Sequence, residues 1–140
     1  MLLVPHPIIF IIDNYMTIKI TLVKSPRKEK KFRVILPDGK KVDFGQRGYS
    51  DFTLHKNPLR MRSYVRRHGG SIPKYILNEN NPTNVGANML KVTRSDKEDW
   101  KGSGVDTAGV WSRWVLWSHP TIPGAIRIIE RKFGVNIRQK

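Results

Sequence analysis

The sequence predicts an α+β fold: a small antiparallel sheet, a hairpin plus one strand, covered by two or three helices, with long irregular segments. Three observations predict it. Residues 18–44 carry alternating apolar positions on either side of a Pro-Asp-Gly turn. Two later stretches, beginning near Thr107 and Ile122, repeat apolar residues at helical spacing. Between them and the strands lies an Asn-, Gly- and Ser-rich connection, at about residues 71–106, with few large apolar residues.

In residues 18–23, Ile18, Ile20 and Leu22 alternate with Lys19 and Thr21, the pattern of a half-buried strand. Phe32, Val34 and Leu36 continue it, Pro37-Asp38-Gly39 supply the turn, and Val42 and Phe44 resume the alternation. Three strands with one apolar face cannot bury that face alone, so helices must cover it. Asn57 and Pro58 form an N-cap signal, with Gly69 as the stop. At 100° per residue, Met61, Tyr64, Val65 and His68 share one face of that helix, and Arg60, Arg62, Arg66 and Arg67 are assigned to the opposite, outer face.

In the next helix Val110, Trp111, Trp114 and Trp117 share an arc from which Ser112 and Arg113 turn away, and His119-Pro120 ends it. The last helix spans about residues 122–133, capped by Thr121 and stopped by Gly134, with Ile122, Ile126, Ile129 and Phe133 as its buried set. The closing "VNIRQK" reads as a short edge strand. In the connection, Tyr75, Ile76 and Leu77, then Met89, Leu90 and Val92, are apolar islands that pin it to the body.

Three tryptophans within seven residues suit either a base-stacking platform or a core. Three indoles on a water-facing helix would expose a patch that few soluble monomers tolerate, and the strands need a lid. Trp111, Trp114 and Trp117, with Ile126, Ile129 and Phe133, are therefore assigned to the core.

A chain of 140 residues is most simply one domain. Residues 16–140 read as that domain. Residues 1–15 read as an apolar N-terminal extension, which leaves open whether Met16 is the true start. The stretch "MLLVPHPIIFII" lacks a basic lead and carries Pro5 and Pro7, which argues against a signal peptide or a spanning helix.

The formal net charge is +15. It is concentrated: residues 19–70 hold 15 Lys/Arg against Glu29, Asp38, Asp43 and Asp51. Such an imbalance costs self-repulsion on folding and points to an acidic partner. The run Lys24, Arg27, Lys28, Lys30, Lys31 and Arg33, with Lys40, Lys41, Arg47 and the helical Arg60, Arg62, Arg66 and Arg67, forms the candidate contact surface for a polyanion or partner.

Catalytic and metal chemistry find little support. His6, His55, His68 and His119 are scattered, there is no cysteine, and no carboxylate pair stands out. "GSGVDTAG" lacks the Lys-Ser/Thr of a phosphate-binding loop, and Ser103 lacks a nucleophile-elbow context. The reading is a non-enzymatic chain with no cofactor, no catalytic or metal residues and no small-molecule substrate; an enzyme with an unfamiliar site stays as a further alternative.

The segments "KKFRVILPDGKKVDFGQRGYSDFTLHKNPLRMRSYVRRHGG" and "MLKVTRSDKEDWKGSGVDTAGVWSRWVLWSHPTIPGAIRIIERKFG" resemble small basic proteins of uncharacterised function encoded by nucleocytoplasmic large DNA viruses of algae and protists. The resemblance runs from about Met16 to the C-terminus. It implies a virion component made in the host cytoplasm. Such a component would be a minor capsid protein contacting other virion proteins, such as the major capsid protein, or the anionic internal membrane. The alternative it implies is a genome-associated protein that binds viral DNA without sequence preference.

Overall fold

The computed structural model describes residues 18–68, 70–72, 74–88 and 104–140. Residues 1–15, Gly69, Ser103 and the island at Met89, Leu90 and Val92 lie outside them.

The fold is α+β. Four strands, β1 (Ile18–Lys24), β2 (Lys30–Ile35), β3 (Lys41–Gln46) and β4 (Val135–Gln139), form one sheet in the order β3-β2-β1-β4. β1, β2 and β3 are antiparallel neighbours, as the hairpin and strand patterns require. The C-terminal segment pairs parallel with β1, from Ile18 opposite Val135 to Leu22 opposite Gln139, so the sheet is mixed. Ile20, Leu22, Val34, Val42, Phe44, Val135 and Ile137 are buried on its covered side. Gly39, at φ 88°, supplies the positive dihedral of the β2–β3 turn.

Among the described residues, five α-helical segments accompany the sheet: α1 (Phe52–His55), α2 (Pro58–Arg67), α3 (Pro82–Asn88), α4 (Ala108–Trp111) and α5 (Ile122–Phe133). The sequence caps act as expected. Asn57 accepts from the amides of Leu59 and Arg60, Thr121 accepts from Gly124, and Gly134 ends α5 in the left-handed region. Two short helices were not anticipated. Asp51 caps α1 by accepting from the Thr53 amide. Asn81 caps α3 through the amides of Thr83 and Asn84. The Asn81-Pro82 pair is the same signal as Asn57-Pro58, but no apolar period follows it. Part of the connection at 71–106 is thus helical, and its Ile76 is fully buried in a 3₁₀ turn.

The tryptophan segment departs most from its expected geometry. After α4 the backbone widens into a π-helical turn, Ser112–Leu116, in which Arg113, Trp114, Val115 and Leu116 are all buried. Arg113 was expected to face away but is 0% exposed, its guanidinium lying 4.3 Å from the centre of the Trp114 ring. The reason is position. The Trp111 ring meets Phe44 of the sheet, whereas the Trp114 ring meets Phe133 of α5 edge-on at 5.2 Å. A segment covered on both sides has no outer face.

Trp111 and Trp114 are core residues, and Trp111 also donates from Nε1 to the Val105 carbonyl at 2.6 Å. Ile126 and Ile129 are buried too. Trp117 and Phe133 are half-buried and pack against that core. Trp117 stacks parallel on Tyr64 at 4.2 Å, and Tyr64 in turn stacks on His68 at 4.0 Å, joining α2 to the tryptophan segment. The buried set of α5 is Gly124, Ala125, Ile126, Ile128 and Ile129, with Ile122 half-buried at its start.

His119 joins α3 to the start of α5. A Cβ built on Gly124 would overlap the His119 ring, and one on Gly86 would lie 2.7 Å from it. Only glycine admits the imidazole between these two backbones. Burial, then the Arg127 charge, hold His119 below its ordinary value.

The opposite face of the sheet carries a well-formed ion pair. Arg33 and Asp43 stand opposite each other in register and bond twice, at 2.8 and 2.9 Å, and the Ser25 hydroxyl donates to the same carboxylate at 2.8 Å. The Arg33 hydrogen bonds, against the opposing effect of burial and with help from Ser25, hold the Asp43 carboxyl below its usual value. A depressed carboxylate contributes stability that is complete above its unfolded value, about 4, and is lost as pH falls through the lower folded value. Asp43→Asn is therefore expected to flatten the acid limb of a stability–pH profile, read as urea midpoints from about pH 5 down to about pH 2. Acid limbs of equal steepness in the two proteins would show that this pair is not what acid attacks.

Candidate functional site

A groove of about 660 Å³ opens where the β1–β2 and β3 ends, α1 and the start of α5 meet. Its cations are Lys24, Lys31, Arg47 and Lys56, and its acid is Asp51. Phe32, Leu54, Ile122 and Pro123 supply apolar lining.

Local structure places each of these side chains. Lys31 reaches Asp51 at 2.6 Å and also donates to the Tyr49 carbonyl. Both members of that ion pair are largely buried, so Lys31 is neutralised inside the fold. The Asp51 carboxylate is further engaged by the Thr53 amide and hydroxyl. It therefore caps α1 and anchors Lys31 rather than presenting a free negative charge.

Arg47 donates to the Lys30 carbonyl at 2.9 Å, and Lys56 donates to the carbonyls of Thr53 at 3.0 Å and Pro120 at 2.6 Å. Carbonyls orient a cation without cancelling its charge. Among the described residues, Lys24, Arg47 and Lys56 meet no carboxylate, which leaves the groove with three uncompensated positive charges.

Lys56 has a further peculiarity. Its backbone lies at φ 54° and ψ 33°, the left-handed region, where it closes α1. A residue with a Cβ is disfavoured there by roughly 1–2 kcal/mol. The position would suit glycine, yet it carries the side chain that bridges α1 to Pro120. Lys56→Ala keeps the strain and loses both hydrogen bonds, whereas Lys56→Gly loses the bonds and the strain together. The alanine variant is expected to be the less stable of the two by about 1 kcal/mol in chemical denaturation. Equal midpoints would mean that the strain is absent.

The structure divides the basic residues expected to form one contact surface. Lys24 and Lys31 reach the groove, and Arg47 joins them. Lys56 was missed by sequence reading because it stands alone, outside any basic run. Arg27 pairs with Glu29, and Lys40 pairs with Asp106, both in exposed turns. Lys28 and Lys41 are exposed, and Lys30 is partly covered.

Arg33 leaves the contact set because it is committed to Asp43, and Lys31 because it is committed to Asp51. Arg62 leaves it too. It is 4% exposed and donates to the carbonyls of Ile76 at 3.1 Å and Glu79 at 2.7 Å, holding the 3₁₀ turn against α2. Arg60, Arg66 and Arg67 remain on the outer face of α2. Helical projection could not foresee the fate of Arg62, because the segment that covers it comes from the connection read as irregular.

His55 lies next to the groove's wall. Its Nδ1 accepts from the Asn57 amide at 2.9 Å, and its ring meets Trp117 at 5.3 Å. Burial, then the Arg60 charge, push it below its ordinary value. Among the described residues no three His, Cys, Asp or Glu side chains gather as a metal site, and no helix is long and apolar enough to cross a membrane.

Residues 20–68 match a sequence family described as a family of unknown function (DUF5754). That span takes in most of β1, all of β2 and β3, α1 and α2, and so the four groove cations, but not the α5 side of the groove. No curated protein and no protein of solved structure matches the chain.

Proposed function

We propose that this chain is a non-enzymatic module that binds the phosphate backbone of nucleic acid without reading its sequence. The carrying observation is that Lys24, Arg47 and Lys56 converge on one groove and, among the described residues, meet no carboxylate that would cancel them. Two of the three are held in place by backbone carbonyls, which lowers the ordering cost on binding. Neutralising phosphates releases counterions, so the binding should weaken steeply with salt.

The test is the triple variant Lys24→Gln, Arg47→Gln, Lys56→Gln, titrated against labelled nucleic acid over a salt series. The slope of log affinity against log salt is expected to become shallower by about 2, with affinity down at least about tenfold at low salt. A variant that binds like the parent would remove the groove from the account.

A second reading is supported by the exposed Tyr49, Leu54 and Leu59, which stand in sequence among the cations and suit a subunit contact. It is a structural virion component touching other virion proteins, such as the major capsid protein, or an anionic internal membrane, and it draws on the resemblance to large DNA virus proteins. Gentle disruption of particles separates the two readings. Co-migration with the shell after nuclease treatment supports the subunit contact, whereas co-migration with DNA that is lost on nuclease supports the backbone-binding module.

A further inference from the structure

We infer that the groove is built for single-stranded nucleic acid, taking one nucleotide's base inside and its flanking phosphates at the cationic residues, and that duplex is a poor occupant. This inference rests on the backbone-binding reading above and deepens it.

Shape is the first argument. The site is an open groove with about 660 Å³ of space, a volume comparable to that of small-ligand clefts. A duplex is a wide rod with its bases stacked inside and its phosphates outside. It could touch the cations but would leave the groove empty. A single strand can turn a base out of its stack at little cost. An anionic bilayer presents a plane and meets the same difficulty as the duplex.

Lining chemistry is the second argument. Phosphate recognition needs cations and donors only, yet this groove is also lined by Phe32, Leu54, Ile122 and Pro123. Phe32 is half-buried, and its ring packs on the Phe44 ring with centroids 5.9 Å apart and planes at 27°. Leu54, 63% exposed, extends this apolar lining to the rim of the groove. A flat aromatic ring beside three uncompensated cations is the pairing found where strands bind without sequence preference: charge for the backbone and a π-face for the base.

Electrostatics at the floor agree. The groove's carboxylate, Asp51, is almost fully buried and tied to Lys31, so it does not repel an incoming phosphate. Lys56 and Arg47 spend hydrogen bonds on neutral carbonyls and keep their full charge for the ligand.

The experiment compares a labelled oligothymidylate with a DNA duplex of equal length by fluorescence anisotropy, using the full chain at low and moderate salt. The single strand is expected to bind at least about tenfold more tightly. Phe32→Leu, which keeps apolar bulk but removes the π-face, is expected to weaken single-strand binding at least about fivefold and leave duplex binding unchanged. Because Phe32 contributes to packing, Leu54→Ser is the companion variant. Leu54 is exposed, so its loss should spare folding while lowering single-strand affinity.

Equal affinity for strand and duplex, with normal salt dependence, would overturn this inference and leave the backbone-binding reading standing. So would Phe32→Leu and Leu54→Ser proteins that fold and discriminate like the parent. Binding to neither nucleic acid, with tight binding to vesicles containing phosphatidylserine, would overturn both readings.

Discussion

Trp114→Ala is expected to abolish cooperative folding at physiological temperature. The indole is 2% exposed and sits between the sheet-facing core and α5, with Phe133 against it edge-on and the Arg113 guanidinium over its ring. Truncating a buried tryptophan costs roughly 3–5 kcal/mol, because lost transfer energy is compounded by the cavity left behind. A domain of this size has only about 5–15 kcal/mol in total. The cost is also raised by the neighbour. Arg113 is 0% exposed, and removing the ring under a buried cation takes away a favourable contact that apolar side chains cannot replace. Calorimetry or far-ultraviolet melting decides the matter. A Trp114→Ala protein that melts cooperatively within a few degrees of the parent would sink the core assignment.

Arg62→Met should also be costly, and for a reason that separates it from its neighbours. Arg62 donates from one nitrogen to the Ile76 and Glu79 carbonyls; removing the guanidinium takes that donor from the Glu79 carbonyl and leaves the Ile76 carbonyl only the Glu79 amide at 3.4 Å. Stranding buried or half-buried acceptors costs about 1–3 kcal/mol, partly offset because the methionine no longer buries a charge. Burial, then the adjacent Arg66, already lower the Arg62 pKa, a sign that the fold bears a cost to keep this cation inside. The net expectation is about 2 kcal/mol, or a fall of roughly 6 °C in melting temperature. The triple variant Arg60→Gln, Arg66→Gln, Arg67→Gln touches exposed groups and should fall within about 0.5 kcal/mol of the parent. If Arg62→Met melts with the parent while the triple does not, Arg62 belongs to the surface after all. This distinction matters for binding experiments. A four-arginine variant of α2 that included Arg62 would confuse lost contacts with lost folding.

These two residues show where legibility began and ended. Trp114 could be assigned to the core from sequence, because an apolar arc at helical spacing has few other uses beside a sheet that needs covering. Arg62 could not be placed, because arginine is usually exposed and its partners, Ile76 and Glu79, lie on a turn with no periodic signal. The cap at Asn57, the turn at Gly39 and the stop at Gly134 were legible for a local reason. Each depends on one side chain or one dihedral within a few residues. The π-turn was not legible, since it answers to the cover on both sides of the segment rather than to its own residues.

The same division runs through the candidate site. Sequence by itself determined that the positive charge is concentrated in residues 19–70, that the chain is α+β, and that the strands pair as a hairpin plus one. Composition and short-range patterning are sufficient for such conclusions. Only the tertiary structure decided which cations act together. It removed Lys31, Arg33 and Arg62 by giving them Asp51, Asp43 and backbone carbonyls. It added Lys56, and it brought Pro120, Ile122 and Pro123 across from the far end of the chain to close the groove. The physical reason is that a charge is available to a ligand only if no nearer partner cancels it. That partner is selected by three-dimensional distance, which separation along the chain does not reveal.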